Sequence, residues 1–449
     1  MTKQTESIML ENTAPILLQC QDMHLAIPGT YDPDREIVRI DSFNPSVKVF
    51  DSKQRPRLMK MIGSDGNQYT FILKGHEDLR LDERVMQLFG LINSLLALDN
   101  NTARRSLAIE RYPVTPLSSK SGLIGFYPNC DSITDVIVEY RMAHNQRKDD
   151  EIVMLANISN NWQTLSNLER IESYEHVMEH SSGDDLQQAM WYNSPNAETW
   201  LERRTNYTRS MAVMSVVGYI LGLGDRHLTN IMMHASNGKV VHIDLGDCFE
   251  IAIEREAYPE TVPFRLTRMV VLPMEVGSSI EGIFKFTANH TMRVLRSNRD
   301  SLMAVLEAFV FDPLVSWQYT QEEETVTPTP SAAGGKRTLS IVESQVFSWK
   351  AISRPNGIDN EDWVHPGSRP DNAYSRSFRI RNGSINEKGW QSENPKAKSI
   401  FKRIHSKLVG TDFDPNVPLL AVDQVEKLIE QATLPDNLAV MYPGWMPIW

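Results

Sequence analysis

The sequence predicts an α+β chain of two lobes, a small antiparallel sheet followed by a mainly helical body. At 449 residues the chain exceeds the length at which one core usually stops growing, so two or three lobes are expected. Between Ile37 and Leu73 short apolar stretches (VKVF, MKMIG, YTFIL) alternate with turn clusters (SKQRPR, SDGN), the pattern of an antiparallel sheet. Beyond Lys74 apolar residues recur at helical spacing instead, first at Val85, Leu88, Phe89, Ile92, Leu95 and Leu96.

Composition narrows the classes. A net charge of −11 argues against nucleic acid or a polybasic membrane surface as the main partner. Cys20, Cys130 and Cys248 are too few and too scattered for a disulfide framework or a structural zinc site. MTKQTESIML has no apolar signal core, and the longest nearly uninterrupted apolar run, Met211 to Leu223, is too short to cross a bilayer. A soluble, intracellular chain is expected.

The elements follow in order. SKQRPR, residues 52–57, falls between strands where a nucleotide-covering loop would be needed, yet it lacks both GxGxxG and GxxxxGK[ST]. Phosphate contact there would fall to Ser52, backbone amides and Lys53 or Arg55; the same residues also read as a plain basic turn. Lys74 leaves an apolar strand just before an acidic helix start, the geometry of a phosphate-pairing lysine held by a helix carboxylate, either Glu77 or Asp82. Acids at a helix start are also favoured by the helix dipole alone. LIGFYPNCD, 123–131, joins the sheet-rich part to the helical part, where an adenine ring would dock; Phe126 and Tyr127 equally read as core.

An apolar helix, TNYTRSMAVMSVVGYILGL, then leads into GDRHLTN and VVHIDLGD. Asp225 and Asn230 stand five residues apart, and Asp244 follows fourteen residues on. Phosphoryl transfer needs positioning and charge neutralisation more than covalent help. An Asp to accept the proton of the attacking hydroxyl, an Asn on the same loop and a second Asp from a neighbouring strand to hold magnesium supply both. NIMMHASNGKVVHID reads as two short strands joined by a tight I′ turn at Asn237-Gly238, bringing Asn230 and Asp244 together. Compared with HRDxxxxN, the order is inverted: Asp225 comes first and Arg226 and His227 follow, so His227 is placed to interact with the transferring phosphate.

HTMRVLRSNRDSLMAVLEAFVFDPL supplies two more helices. From 319 to 395 a Thr/Pro/Ser/Gly-rich stretch loses periodicity and reads as a disordered insert. KAKSIFKRIHSKLVG resumes helical spacing.

GDRHLTN, HIDLGD, VPFRLTRM and the terminal GWMPIW together resemble the phosphatidylinositol-3-kinase-related protein kinases. AIPGTYDP at 26–33, SKQRPR, LKGHEDLRLDERVMQLFGL and WLERRTNYTRSMAVMSVVGYILGLGDRH point within them to the target-of-rapamycin (TOR) branch. The resemblance covers roughly 8–318 and 396–449. It implies a two-lobed protein-kinase-like fold of the PI3/PI4-kinase type: a lead-in at 1–24, N-lobe 25–125, C-lobe 126–318, a helix and linker at 396–416 after the insert, and a FATC segment at 417–449.

The same resemblance implies a non-specific serine/threonine protein kinase of growth and nutrient signalling that uses ATP with magnesium, manganese being able to substitute. By position it makes Asp225 the base and His227 its partner, Asn230 and Asp244 the metal ligands, and Lys74 the phosphate-pairing lysine with Glu77 beside it. Ser52 and Gln54 fall in the phosphate-covering loop, and Ile72, Tyr112, Gly125, Phe126, Tyr127, Ser132, Met232 and Ile243 line the adenine pocket. Phe126 replaces a family tryptophan. Segment 140–178 matches the docking site of a WD40 propeller subunit, although this chain diverges there. Ala439 and Met446 stand where the family has redox-sensitive cysteines, which excludes a disulfide in this tail. Trp445, Ile448 and Trp449 could touch a membrane interface or pack on the kinase core. The expected location is cytoplasmic, with peripheral endomembrane contact at most.

Family members carry long helical repeats and a rapamycin-binding bundle ahead of the kinase lobes, whereas this sequence opens just before them, so a fragment, an incomplete gene model or a stand-alone catalytic unit is expected. Two other readings stay open: a truncated, catalytically weak interaction module, and a phosphoinositide kinase. Against the second, the stretch Asp247 to Pro263 has five acidic residues and a single base, Arg255, where a polyanionic headgroup would call for basic ones.

Overall fold

The computed structural model describes residues 6–50, 54–159, 162–255, 258–275, 277, 280–311 and 395–449. The expected insert therefore lies almost wholly outside the described residues, as does Ser52.

The first lobe is an antiparallel sheet of β1 (Glu6–Met9), β2 (Ile40–Phe43), β3 (Ser46–Val49), β4 (Arg57–Gly63), β5 (Gln68–Gly75), β6 (Val114–Ser118) and β7 (Ser121–Gly125). Its order is β1-β3-β4-β5-β7-β6, with β2 paired to β4. Two short helices, α1 (Leu10–Thr13) and α2 (Pro15–Gln19), follow β1. Alternate residues of a strand face opposite sides, and the two sides have different tasks. Met59, Met61, Tyr69, Phe71 and Leu123 pack on one face with Ile27 and Ile40. Leu58, Ile72 and Ile124 pack on the other, toward α3 (Arg80–Leu98). The six apolar positions predicted for that helix are all buried.

After α4 (Asn100–Ala103) and the β6–β7 hairpin, residues 126–129 lead into a second sheet, of order β10-β9-β8. It comprises β8 (Cys130–Ser132), β9 (Ile231–His234) and β10 (Val240–His242). Between β8 and β9 come α5 (Ile133–Ala143), α6 (Asp150–Ile158), α7 (Asn167–His180), α8 (Asp185–Tyr192) and α9 (Ala197–Leu221). Asn196 caps α9 by accepting the Thr199 N–H at 2.8 Å. From Ser210 to Leu221 every residue of α9 is buried, so its end is wrapped on all sides, as a helix that is apolar all round must be. α10 (Arg268–Val271), α11 (Ile283–Ser297) and α12 (Arg299–Val310) complete the body. Among the described residues no helix is long and apolar enough to cross a membrane.

The β9–β10 hairpin differs from the expected two-residue turn. His234 N–H donates to Lys239 O at 2.9 Å, leaving a four-residue loop at 235–238 in which Gly238 alone has positive φ (+74°). The helix behind it decides this geometry. Arg203 Nε donates to Ser236 O at 2.9 Å and Asn206 Nδ2 to Asn237 O at 3.0 Å, and a Cβ on Gly238 would lie 2.5 Å from Arg203 O.

The C-terminal part packs onto this body. In α13 (Pro395–Val409), Arg403 pairs with Glu250 at 2.8 Å and the Lys407 ammonium donates to Tyr219 O at 2.7 Å. α14 (Ala421–Thr433) is joined to α13 by Gln424, whose amide donates to Lys407 O at 2.9 Å. α15 (Pro435–Ala439) lies on α7. Trp445 and Ile448 are buried with Tyr174, Val177 and Leu438, and Trp449 is buried in the main core, so of the two readings for this tip the packed one describes these side chains.

Candidate active site

α9 ends at Gly222, whose φ of +65° is the left-handed cap that glycine adopts without strain. A Cβ there would lie 2.6 Å from the Glu250 nitrogen. This tight closure delivers the chain into the 224–230 loop. Asp225 sits at φ +57°, unusual for a residue with a side chain, and its N–H donates to both carboxylate oxygens of Glu260, at 2.9 and 3.0 Å. Asn230 is buried, and its Nδ2 donates to Asp225 O at 3.0 Å and to Asp225 Oδ2 at 3.4 Å. The His227 Nε2 stands 3.8 Å from Asp225 Oδ2. Burial pulls the His227 imidazole below its ordinary value against the pull of Asp225, which favours the uncharged ring.

Asp244 leaves β10 with φ +55°. The Ile243 N–H donates to Asn230 O at 3.0 Å, which sets the two loops side by side. Arg226 then ties them: its guanidinium donates to Gly224 O at 2.8 Å, Ile243 O at 2.9 Å and Asp244 O. Arg226 is buried, and its carbonyl in turn accepts from Arg265 Nε at 2.6 Å. Arg265, also buried, donates further to the carbonyls of Trp445 and Met446.

From the sheet lobe, the Lys74 ammonium pairs with Glu77 at 3.1 Å. Burial alone would lower Lys74, but the carboxylates of Asp244, Glu77 and Asp82 outweigh it and raise the group. The second helix carboxylate has a separate task. Asp82 is buried, accepts the Leu245 N–H at 3.2 Å, and is pushed up to about 6 by burial, with Lys74 opposing. Lys74 therefore stands near enough to Asp244 to be raised by its charge.

The residues expected around the adenine divide. Ile72, Tyr112 and Met232 are buried, and Phe126 and Ile243 are half-buried beside them in one apolar cluster. Gly125 lies against Pro113, whose Cγ a Cβ would meet at 2.4 Å. The other two carry additional bonds. Tyr127 donates its hydroxyl to Glu110 at 2.6 Å, and Glu110 is paired to Lys239 at 2.6 Å. Ser132 caps α5, accepting the Asp135 N–H at 3.0 Å. Gln54 is exposed.

Among the described residues no group of three or more His, Cys, Asp or Glu is suited to a metal. The donors present are the Asp244 carboxylate and the Asn230 amide oxygen, whose partner nitrogen is already committed to Asp225. One or two hard oxygen donors, with the rest left to phosphates and water, suit magnesium. Glu260, Arg226 and Arg265 are the site residues the sequence did not single out. Arg226 adjoins the base, and Arg265 stands in VPFRLTRM, but neither position alone reveals its long-range partners.

The family model described as phosphatidylinositol 3- and 4-kinase matches residues 68–319, and that of the FATC domain matches residues 418–449. Serine/threonine-protein kinase mTor of Drosophila melanogaster is 44% identical over 448 residues, covering 99% of this chain and 18% of its own length. Serine/threonine-protein kinase tor1 of Schizosaccharomyces pombe is 44% identical over 445 residues, 98% of this chain and 18% of its own. The FAT and kinase domain of CtTel1 superposes with a TM-score of 0.71 at 26% identity, covering 100% of this chain and 27% of that one. The chain thus spans less than a fifth of the length of these curated relatives.

Proposed function

The chain belongs to the phosphatidylinositol 3- and 4-kinase family, and from that premise we propose that it is a TOR-type serine/threonine protein kinase acting on protein hydroxyls with ATP. The observation that carries the proposal is the convergence of charges: Lys74, paired to Glu77, lies in the field of Asp244, and the Ile243 N–H beside Asp244 bonds Asn230 O, next to the Asp225 loop. In this scheme Asp225 accepts the substrate hydroxyl proton and Lys74 orients the ATP phosphates. His227, 3.8 Å from Asp225, would interact with the transferring phosphate. Asn230 and Asp244 would hold magnesium, which neutralises phosphate charge when bound.

Protein is favoured over a lipid headgroup because, among the described residues of 247–263, no unpaired cation is offered. Arg255 is paired to Asp247, and Glu250 takes Arg403, while Glu254 lies 3.5 Å from Lys396. For the domains we propose an N-lobe at 25–125, a C-lobe at 126–318 and FATC at 417–449. A WD40-type subunit is proposed to seat on 140–178, supported by the ring stack of Tyr140, His144 and Tyr192 at its edge. A cytoplasmic location is proposed on the same family basis.

The test is ATP turnover with magnesium on a generic peptide and on phosphatidylinositol vesicles, beside an Asp244→Ala control. Peptide turnover lost in the control supports the proposal. Equal rates in both proteins, or faster turnover on vesicles, would sink it.

A further inference from the structure

We propose that Glu260 is a positioning residue: its carboxylate fixes the backbone of Asp225 and so makes the base depend on the segment that follows Asp244. This rests on the kinase role given to Asp225 above.

Asp225 N–H lies outside any helix or strand and both Glu260 oxygens accept it. Glu260 is only 8% exposed, so this acceptor is shielded from competing water. Its own N–H donates to Ala252 O at 3.1 Å, which holds Ala252 and Glu260 together beside the loop. The contact there is close: a Cβ on Gly224 would lie 2.3 Å from Ala252 Cβ and 3.5 Å from Glu260 Oε2. Arg255 supplies the countercharge, with Nη1 3.8 Å from Glu260 and 4.0 Å from Asp225 Oδ1, while its other nitrogen pairs with Asp247. A carboxylate buried beside a second carboxylate is costly unless it is hydrogen-bonded and neutralised. Here the hydrogen bond it makes holds the backbone of Asp225, whose left-handed φ would otherwise tend to relax. Any rearrangement of 247–260 must therefore move Asp225 as well.

The experiment combines steady-state kinetics with hydrogen exchange at the Asp225 amide. Glu260→Gln keeps one acceptor oxygen; Glu260→Ala removes it. Glu260→Ala is expected to lower kcat by about a hundredfold, as misplacement of a reacting group by roughly 1 Å does. The KM for ATP should change far less than kcat, because the displaced group is the base and the nucleotide site is reached only through the Asn230 amide bond to Asp225. The Asp225 amide should exchange about tenfold faster, as loss of one hydrogen bond implies. Glu260→Gln should restore most of both. Should Glu260→Ala fail to fold, Glu260→Asp, one methylene short, takes its place with the same expectations. An unchanged exchange rate overturns the inference whatever the kinetics show. So does faster exchange with unchanged kcat. If the parent chain itself turns over no peptide, the kinase proposal fails, and the exchange rate still decides whether Glu260 holds Asp225.

Discussion

The guanidinium of Arg265 lies over the indole of Trp445, 3.6 Å from the ring centroid, while its Nε donates to the carbonyl of Arg226 beside the proposed base. One buried side chain thus spans the C-terminal tail and the 224–230 loop. Arg265→Met keeps the length and removes every donor, leaving carbonyls of Arg226, Trp445 and Met446 without it. A loss of about 3 kcal/mol or more is expected in chemical denaturation, since bonds to charged groups are worth about 1.5–3 kcal/mol each. Combined with Trp445→Leu the two losses should fall short of additivity by about 1 kcal/mol.

Asp225→Ala should cut peptide turnover by about a hundredfold or more, the usual worth of a general base. Nucleotide affinity, read by calorimetry, should change little. Intact turnover would remove Asp225 from the role.

Lys74→Met should weaken nucleotide binding roughly tenfold to a hundredfold, the value of a charge-assisted hydrogen bond. Asp244→Ala should do the same only when magnesium is present, which a titration with and without the ion separates. A loss independent of magnesium would move Asp244 out of the metal site.

Glu110 gives a pH signature. Burial alone would raise its carboxyl, but the Lys239 charge and the bonds from Lys239 and Tyr127 outweigh it and hold the group below its ordinary 4.5. A depressed carboxylate contributes stability above its unfolded value, and that contribution is lost as pH falls through the folded one. Glu110→Gln should therefore cost about 1–3 kcal/mol at neutral pH. The gap to the parent should close below pH 4.5, followed by thermal unfolding across that range.

Much of this was legible because it is local. The helix at 80–98 shows in its apolar spacing, and Lys74 shows by ending an apolar strand. Five- and fourteen-residue spacings placed Asp225, Asn230 and Asp244 on adjoining loops because a hairpin brings its two ends together. What escaped was set by distant partners. The loop at 235–238 widened because Arg203 and Asn206, some thirty residues back, bind its carbonyls. Glu260 read as one more acid in an acidic stretch, and nothing local marks it as the acceptor for a base 35 residues earlier. That Tyr127 also braces Glu110 and Ser132 also caps a helix shows only in the fold.

Asp225 and Asp244 both hold backbone angles, φ +57° and +55°, that residues with side chains rarely adopt. Glycine would relieve that cost at either position while abolishing the chemistry proposed for it. Heat tolerance and activity therefore pull this chain in opposite directions at two points. Selection for thermal robustness alone would enrich inactive proteins, so any stabilisation campaign must score turnover alongside melting temperature.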